Sequence, residues 1–512
     1  MKTDDVEKGH ASSPTLQCVS PTELESPTNP KEEVVVEYKP TSFFQKCLWK
    51  MKNVEPHGIR QIPLEDRQEV NSSTWLHMLL MWFSMALGTN NIVVGSMGTL
   101  VLGLSFKDAA ICAVLGNFLG AMTVGYMSIW GPVSGNRTLI VARYFMGYYP
   151  SQFCCVLNVF TNVGYNMVNS VVGGQILSKV CDGHISVMVG IIVVSLASWA
   201  MAIFGMKVFA LYERFSWVPQ LMVLCVMLGS AGSLFDFDIH TPASPEQLNA
   251  KRITFFSLAL SIALSWTPLA ADYYVYYPPQ MQRWRTFVVT LMGSSSAMIM
   301  TLLIGVGLGT VLTSSPMYAA KYGSDPGGLL MTAYDSLGGF GKFCAVINVL
   351  ALVANNTPGA YSMGMNFQML GSVFQRVPQF IFTTLSTIIY TACAMGGRSA
   401  LYEVFKGFLP LIGYWVMMFL VICLQEDVLF RRRKGYDWAA WNSRSKLPLG
   451  IAAAMSFLIG WVGAVLGMDQ AYYAGVVARL TGGADLGLWM GAGFTAISFP
   501  ALRVLELRFI GR

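Results

Sequence analysis

The sequence predicts an all-α membrane protein of about twelve transmembrane helices. Three observations predict it: the composition, the spacing of apolar runs and the sidedness of the basic residues. Apolar residues make up 54% of the 512-residue chain and charged residues 12%, against a charged share of about 25% in soluble domains. The charges gather in short clusters, and the stretches between them approach the roughly 20 apolar residues that cross a ~30 Å hydrocarbon core as a helix. With the N-terminus in the cytosol, 21 basic residues from residue 41 onward fall on the inner side. They include Arg137, Arg143, Lys207, Arg214, Arg283, Arg285, Arg376, the run Arg431-Arg432-Arg433-Lys434, and Arg503. The outer side holds 8: Lys107, Lys179, Lys251, Arg252, Lys321, Lys342, Arg398 and Arg479. An excess of Lys and Arg marks cytosolic loops, so both termini are expected in the cytosol.

The chain divides into a polar tail, 1–73, a transmembrane core, 74–502, and a short cytosolic end, 503–512. The tail is rich in Ser, Thr, Pro, Glu and Lys and has no apolar period, so it is expected to be disordered. It does not read as a cleavable signal peptide. Ser13-Pro14, Ser20-Pro21 and Ser26-Pro27 are candidate phosphorylation sites, and such a tail is a candidate contact for trafficking machinery. The spans are expected at 74–102, 108–131, 150–178, 184–206, 217–235, 253–276, 287–313, 343–367, 378–396, 400–424, 447–467 and 484–502. Sequons begin at Asn71, Asn136 and Asn355, all on the cytosolic side or within the membrane, so no glycan is expected.

The net charge of +6 is small for this length and follows topology, which argues against a nucleic-acid surface. The ten cysteines form no C-x-x-C pair or Cys/His cluster, so neither disulfides, a metal nor another cofactor is expected. No nucleophile–base pairing points to an enzyme, and no ring-forming charge motif points to a channel.

Two spans carry breaks. Span 1 reads Gly88-Thr89-Asn90-Asn91 at mid-depth, and span 6 reads Ser265-Trp266-Thr267-Pro268. Both loosen the helical ladder, which a membrane tolerates only where protein or a wet cavity satisfies the freed backbone. A Pro kink and Gly packing are the simpler explanations. Breaks five helices apart instead suggest two halves related as inverted repeats with a binding site at the midplane, the pattern of secondary transporters. The halves are expected at about 74–235 and 253–424, with two further helices at 447–502.

Polar residues in apolar spans sharpen this reading. Span 3 holds Asn162, Tyr165, Asn166 and Asn169, and Tyr165 and Asn169 lie four apart on one helix face. Span 8 holds Asn355-Asn356-Thr357-Pro358 after the stretch Val346 to Ala354, apolar except for Asn348. An unpaired buried amide costs roughly 1–3 kcal/mol. Interhelical hydrogen bonding is one use for these amides. Their coincidence with Tyr165, Trp266 and the two breaks suits a flat polar ring, which needs stacking faces and in-plane donors and acceptors. Full charges are few. Asp272 follows the span 6 break, Glu403 and Lys406 open span 10 three residues apart, and Glu213 sits at the cytosolic start of span 5.

With these residues in view, the sequence resembles the nucleobase–cation symporter family, in its fungal purine–cytosine permease branch, over about 74 to 512. The resemblance rests on Trp82-Phe83-Ser84, on Gly103-Leu104 with Phe106-Lys107-Asp108-Ala109-Ala110, and on Tyr212-Glu213 with Trp217-Val218-Pro219. It continues through Ala270-Ala271-Asp272-Tyr273, Val275-Tyr276-Tyr277-Pro278, Ala354-Asn355-Asn356-Thr357-Pro358, Leu447-Pro448-Leu449-Gly450-Ile451, and Leu505-Glu506-Leu507-Arg508-Phe509. It implies a leucine-transporter-like five-plus-five inverted repeat plus two C-terminal helices, and proton-coupled uptake of a small heterocycle at the plasma membrane. The implied substrate positions are Asn91, Tyr165, Asn169, Trp266, Asn355 and Asn356. Glu213 matches a carboxylate the family associates with transport, and Asp272, Pro358 and Gly359 are further transport or gating candidates.

Three positions depart from the branch's pattern. Carriers of cytosine and purines usually have Trp where Tyr165 stands, a small hydroxyl residue where Asn91 stands, and often a third Asn where Gly359 stands. A pyridoxine-type vitamin therefore competes with cytosine and the purines as the expected cargo. Sodium-coupled relatives place hydroxyls in span 8 about one and a half turns before the amides, where this chain has Val349 and Leu350. These side chains offer no oxygen, so a proton is the expected coupling ion. A non-transporting receptor or scaffold in the membrane lipid is the alternative of a different class.

Overall fold

A computed structural model describes residues 58–512 apart from 205, 240, 241, 324 and 432–434, and only the backbone at 204, 206–214, 322 and 372. The expected tail up to residue 57, with its Ser-Pro pairs, lies outside the described residues, as do Arg432, Arg433 and Lys434. In chain order the helices are α1 (Ser72–Ala86), α2 (Thr89–Ser96), α3 (Phe106–Ser128), α4 (Trp130–Ser134), α5 (Thr138–Met146), α6 (Tyr148–Val180) and α7 (Val187–Phe204). There follow α8 (Met206–Ala231), α9 (Pro245–Leu264), α10 (Arg283–Ser314), α11 (Pro316–Tyr322), α12 (Pro326–Ala333), α13 (Gly338–Met369) and α14 (Ser372–Gln375). The chain ends with α15 (Gln379–Gly397), α16 (Leu401–Gln425), α17 (Ile451–Gly467), a small hairpin of β1 (Asp469–Gln470) and β2 (Tyr473–Ala474), α18 (Val476–Leu480) and α19 (Gly487–Ile510). Each of the twelve expected spans overlaps one of the longer helices, and α1 with α2 forms one span bent by 53°.

By length and hydropathy, eight helices among the described residues are fit to cross a membrane, and the bent pair makes a ninth. Helices α7 and α17 are apolar but shorter. Helix α6 has the length, 33 residues, but Asn158, Asn162, Asn166, Asn169 and Gln175 lower its hydropathy. All five are buried, so α6 is a polar helix packed among apolar ones.

Local chemistry sets the ends. Asn71 accepts from the Thr74 amide while the Thr74 hydroxyl accepts from the Asn71 amide, a reciprocal cap that starts α1. Ser105 caps α3, and Ser244 with Pro245 starts α9. Asp108 in the first turn of α3 pairs with Arg252 of α9 at 2.8 Å, tying those two helices at one end. Residues 58–71, placed in the tail by sequence, pack onto the bundle. Ile62 is 2% exposed, Arg67 donates to the carbonyl of Pro132 at 2.8 Å, and the Gln68 amide donates to that of Tyr276 at 2.7 Å. The last helix likewise runs on to Ile510 through a buried ion cluster. Arg503 grips Glu426 with two bonds of 2.8 Å, and Glu506 accepts from the backbone amides of Gly450, Ile451 and Ala452 at the start of α17. Of the three sequons, Asn71 is a helix cap, Asn136 is buried and Asn355 faces the bundle interior.

Helices α2 and α10 approach backbone to backbone. A Cβ on Gly95 would lie 2.1 Å from the Leu302 carbonyl oxygen, and one on Gly305 2.0 Å from that of Ile92. Both positions require glycine because no side chain fits the gap.

Candidate functional site

The two sequence breaks are real and face each other. Gly88 is extended, with φ −70° and ψ 129°, so α1 stops at Ala86 and α2 restarts at Thr89. The Asn91 side chain donates to the Ala86 carbonyl at 2.9 Å, satisfying an acceptor the break frees. Helix α9 stops at Leu264, and Pro268 seeds a 3-10 helix from Thr267 to Tyr273. Helices α6 and α13 pack along each other beside these breaks.

Between the four elements lies a closed polar cavity. Met85, Asn90 and Asn91 line it from the first break, Asn162, Tyr165 and Asn166 from α6, Ser265 and Trp266 from the second break, and Asn355 and Gly359 from α13. Its volume, about 30 Å³, holds one or two waters and not a six-membered ring. Tyr165 is held edge to face by Phe408 at 5.8 Å. Trp266 is held by Trp82 at 6.2 Å, and Trp82 in turn donates from its indole nitrogen to the Tyr274 hydroxyl at 3.1 Å.

The amides are oriented by what they bind. Asn166 donates to the backbone carbonyl of Asn356 at 3.3 Å and Asn162 to that of Asn158 at 2.8 Å. A carbonyl can only accept, so the side-chain oxygens of both point the other way. They converge on Gly359: a Cβ there would meet Asn166 Oδ1 at 2.7 Å and Asn162 Oδ1 at 3.3 Å. Asn90 Oδ1 is buried without a hydrogen-bond partner among the described residues, and the buried Tyr165 hydroxyl has the Ser265 side chain as its polar neighbour.

Four of the six expected substrate residues, Asn91, Tyr165, Trp266 and Asn355, line this cavity. Asn169 and Asn356 stand behind it. Asn169 donates to both Asn355 Oδ1 at 3.0 Å and Asn356 Oδ1 at 2.9 Å, and Asn356 donates to the hydroxyls of Ser170 and Ser198 at 3.3 and 3.4 Å. Pro358 lies inside α13 and removes one donor from its ladder beside the cavity. Asp272 lies apart, in the 3-10 helix. It accepts from both the amide and the hydroxyl of Thr138, at 2.7 and 2.8 Å, while that hydroxyl accepts from the Ala271 amide at 2.9 Å. Arg137 stands 3.9 Å from the same carboxylate. Glu213 falls within α8, and its side chain is outside the described residues.

Sequence reasoning did not find a second cavity of about 140 Å³ beside the first, between α1, α8 and α13. Ser84, Gly88, Trp217, Gln220, Leu350 and Ala354 are among its walls, and it shares Met85 and Asn355 with the polar cavity. Asn355 forms the partition, donating to the Met85 carbonyl at 3.1 Å. Alongside runs a buried chain of polar groups. Gln220 donates to the Asn348 side-chain oxygen at 3.1 Å, Thr89 donates to the Asn348 backbone carbonyl at 3.2 Å, and Asn348 donates to the Tyr334 hydroxyl at 2.7 Å. Asn348 was visible as the one polar residue in an apolar run; its partners, far away in sequence, were not.

A bundle that breaks two helices around a shut, amide-lined chamber, with a second chamber behind one asparagine, has the build of a membrane carrier. Residues 63–491 match the family of permeases for cytosine/purines, uracil, thiamine and allantoin, and the chain belongs to that family. It is similar to the purine-cytosine permease fcyB of Emericella nidulans, at 32% identity over 90% of each chain. It is also similar to the vitamin B6 transporter TPN1 of Saccharomyces cerevisiae, at 28% identity over 92% of this chain and 91% of that one. Among solved structures, the fold is shared with Mhp1, a nucleobase-cation-symport-1 family transporter in a closed conformation with bromovinylhydantoin bound. That match has a TM-score of 0.67 at 14% identity and covers 89% of this chain and 96% of the other.

Proposed function

We propose that the chain is a proton-coupled importer of a flat, nucleobase-sized heterocycle, working at the plasma membrane with both termini in the cytosol. The observation that carries this reading is the closed chamber itself: aromatic rings at Tyr165 and Trp266 with amide edges between them. A ring stacks on the aromatics while its in-plane atoms bond the amides. Entry requires the chamber to expand, and rocking of one five-helix repeat against the other provides that motion. Asn355 then guards passage to the second chamber. Asn169 and Asn356 act through it, by holding its side chain.

The wall is rich in acceptors: the side-chain oxygens of Asn90, Asn162 and Asn166. This favours a cargo with several N–H or O–H donors. A purine or cytosine has amino and ring N–H groups, as the fcyB relative's name suggests. The Tyr165 hydroxyl, which can both donate and accept, also suits the second reading, a hydroxyl-bearing ring of the vitamin B6 type named for the other relative. Competition of labelled uptake by cytosine, purines, uracil, allantoin, pyridoxine and thiamine separates the two. Absence of uptake for all of them would leave the receptor or scaffold reading standing.

Proton coupling is supported by α13 at Val349 and Leu350, whose side chains bring no oxygen to the place where the sodium-coupled relatives carry hydroxyls. Uptake is expected to follow an imposed pH gradient. Uptake driven by sodium at constant pH would overturn this.

A further inference from the structure

A third cavity lies away from the polar chambers, on the outside of the bundle. It is a groove of about 520 Å³ between the first turns of α6 and α17, lined among others by Tyr149, Phe153, Ala454, Phe457 and Leu458. Tyr149 is 55%, Phe153 52% and Leu458 59% exposed, so the groove opens toward lipid.

One end of the groove carries an unusual concentration of positive charge. The ring of Tyr148 meets two guanidiniums, Arg143 at 4.7 Å and Arg444 at 4.9 Å. Arg143 is buried, and its hydrogen bonds go to the backbone carbonyls of Trp441 and Met369 and the side-chain oxygen of Asn442. Arg444 is exposed; it donates to the Tyr149 hydroxyl at 3.4 Å and lies 5.7 Å from that ring. Neither has a carboxylate within ion-pair distance among the described residues. The acids nearby are engaged: Glu506 with Arg503 and the start of α17, and Asp437 with Lys446. A third guanidinium, Arg512, donates to the backbone carbonyls of Arg444 and Ser445. Like charges around one ring at a membrane boundary repel, and an anion placed there relieves the repulsion.

We propose that this groove and Arg444 form a binding site for an anionic glycerophospholipid of the cytosolic leaflet. One acyl chain lies along Phe153, Ala454, Phe457 and Leu458, and the phosphate sits against Arg444. The proposal rests on the orientation given above, which places this end of the bundle inward, where the leaflet is anionic. It does not depend on what the chambers carry.

The test is native mass spectrometry and thermal melting of the full chain in mild detergent, titrated with phosphatidylserine, phosphatidylinositol or phosphatidylcholine. The wild type is expected to retain the anionic lipids preferentially. Reversing the rim charge, Arg444→Glu, should weaken that retention about thirtyfold, since each unit of charge near the surface contributes about 1 kcal/mol and the reversal changes two. Ala454→Trp, which fills the groove, should weaken retention of all three lipids. Unchanged melting in phosphatidylcholine checks that a variant is folded, and if Ala454→Trp fails this check the exposed Arg444 position decides alone. Equal retention of anionic and neutral lipid, or of anionic lipid by Arg444→Glu and wild type, overturns the proposal. So does a lipid-free dimer that Ala454→Trp dissociates, because the groove would then belong to a second copy.

Discussion

The side-chain oxygen of Asn166 lies 2.7 Å from the point where a Cβ on residue 359 would stand. The side-chain oxygens of Asn162 and Asn166 on α6 thus point at the space that glycine leaves, the position where the branch the sequence resembles is expected often to carry an amide. Gly359→Asn should push Asn166 aside and cut uptake at least tenfold at normal surface level. Adding Asn166→Ala should restore part of that loss by vacating the space. A competition panel on the double variant should show altered cargo preference; a double variant no better than the single one would contradict the exchange.

Trp266→Ala removes one face of the proposed stack and should abolish uptake while the protein still reaches the membrane. Tyr165→Phe keeps the ring and deletes only the hydroxyl. If the cargo bonds that hydroxyl, KM should rise about fivefold, the effect of one ordinary hydrogen bond of about 1 kcal/mol. Unchanged KM would assign Tyr165 to stacking alone.

Asn355→Ala opens the partition between the chambers, removes the donor to the Met85 carbonyl and takes one of its two acceptors from the Asn169 amide. Uptake should fall more than tenfold. Asn356→Ala should fall similarly without touching the cavity wall, because Asn169 then loses its second anchor. The two effects should not add, as expected for residues in one network. Additive losses would mean the two asparagines act separately.

Thr138 donates to Asp272 from both its amide and its hydroxyl, so Thr138→Val and Asp272→Asn should loosen the same contact. Cysteine-accessibility labelling from the side of the membrane on which Asp272 lies, the cytosolic side in the proposed orientation, should rise in each and rise no further in the pair. Independent increases would show that the contact is not one latch.

Arg503→Ala takes two bonds of 2.8 Å from Glu426, which is 0% exposed and keeps only its 3.1 Å pairing with Arg431, and should cost up to about 3 kcal/mol of stability. The expected readout is a lower melting temperature and less protein at the surface, with KM of the surviving carriers unchanged.

Much of this was legible in the sequence because membrane physics is strict. Twelve apolar runs and two polar breaks had few structural solutions, and Asn91, Tyr165, Trp266 and Asn355, the positions beside those breaks or implied by the resemblance, line the cavity. What was not legible depends on rotation about helix axes and on distant partners. Asn169 and Asn356 face one another rather than the cavity, whereas Asn162 and Asn166, on the same helix as Tyr165, face Gly359. The packing of residues 58–71 was hidden for a related reason: a polar stretch with only Ile59 and Ile62 to bury shows no period, and it is held by backbone carbonyls that any sequence presents.

The glycine contact between α2 and α10 has a mechanical consequence. With carbonyls pressed against α-carbons there is no side chain to re-rotamerise and no slack to absorb sliding, so these two helices behave as a single welded beam. Whatever opens the chamber must then yield at seams built from longer side chains, where Ser84 meets Ser216 at 3.1 Å across α1 and α8 and where Asn355 reaches the first break.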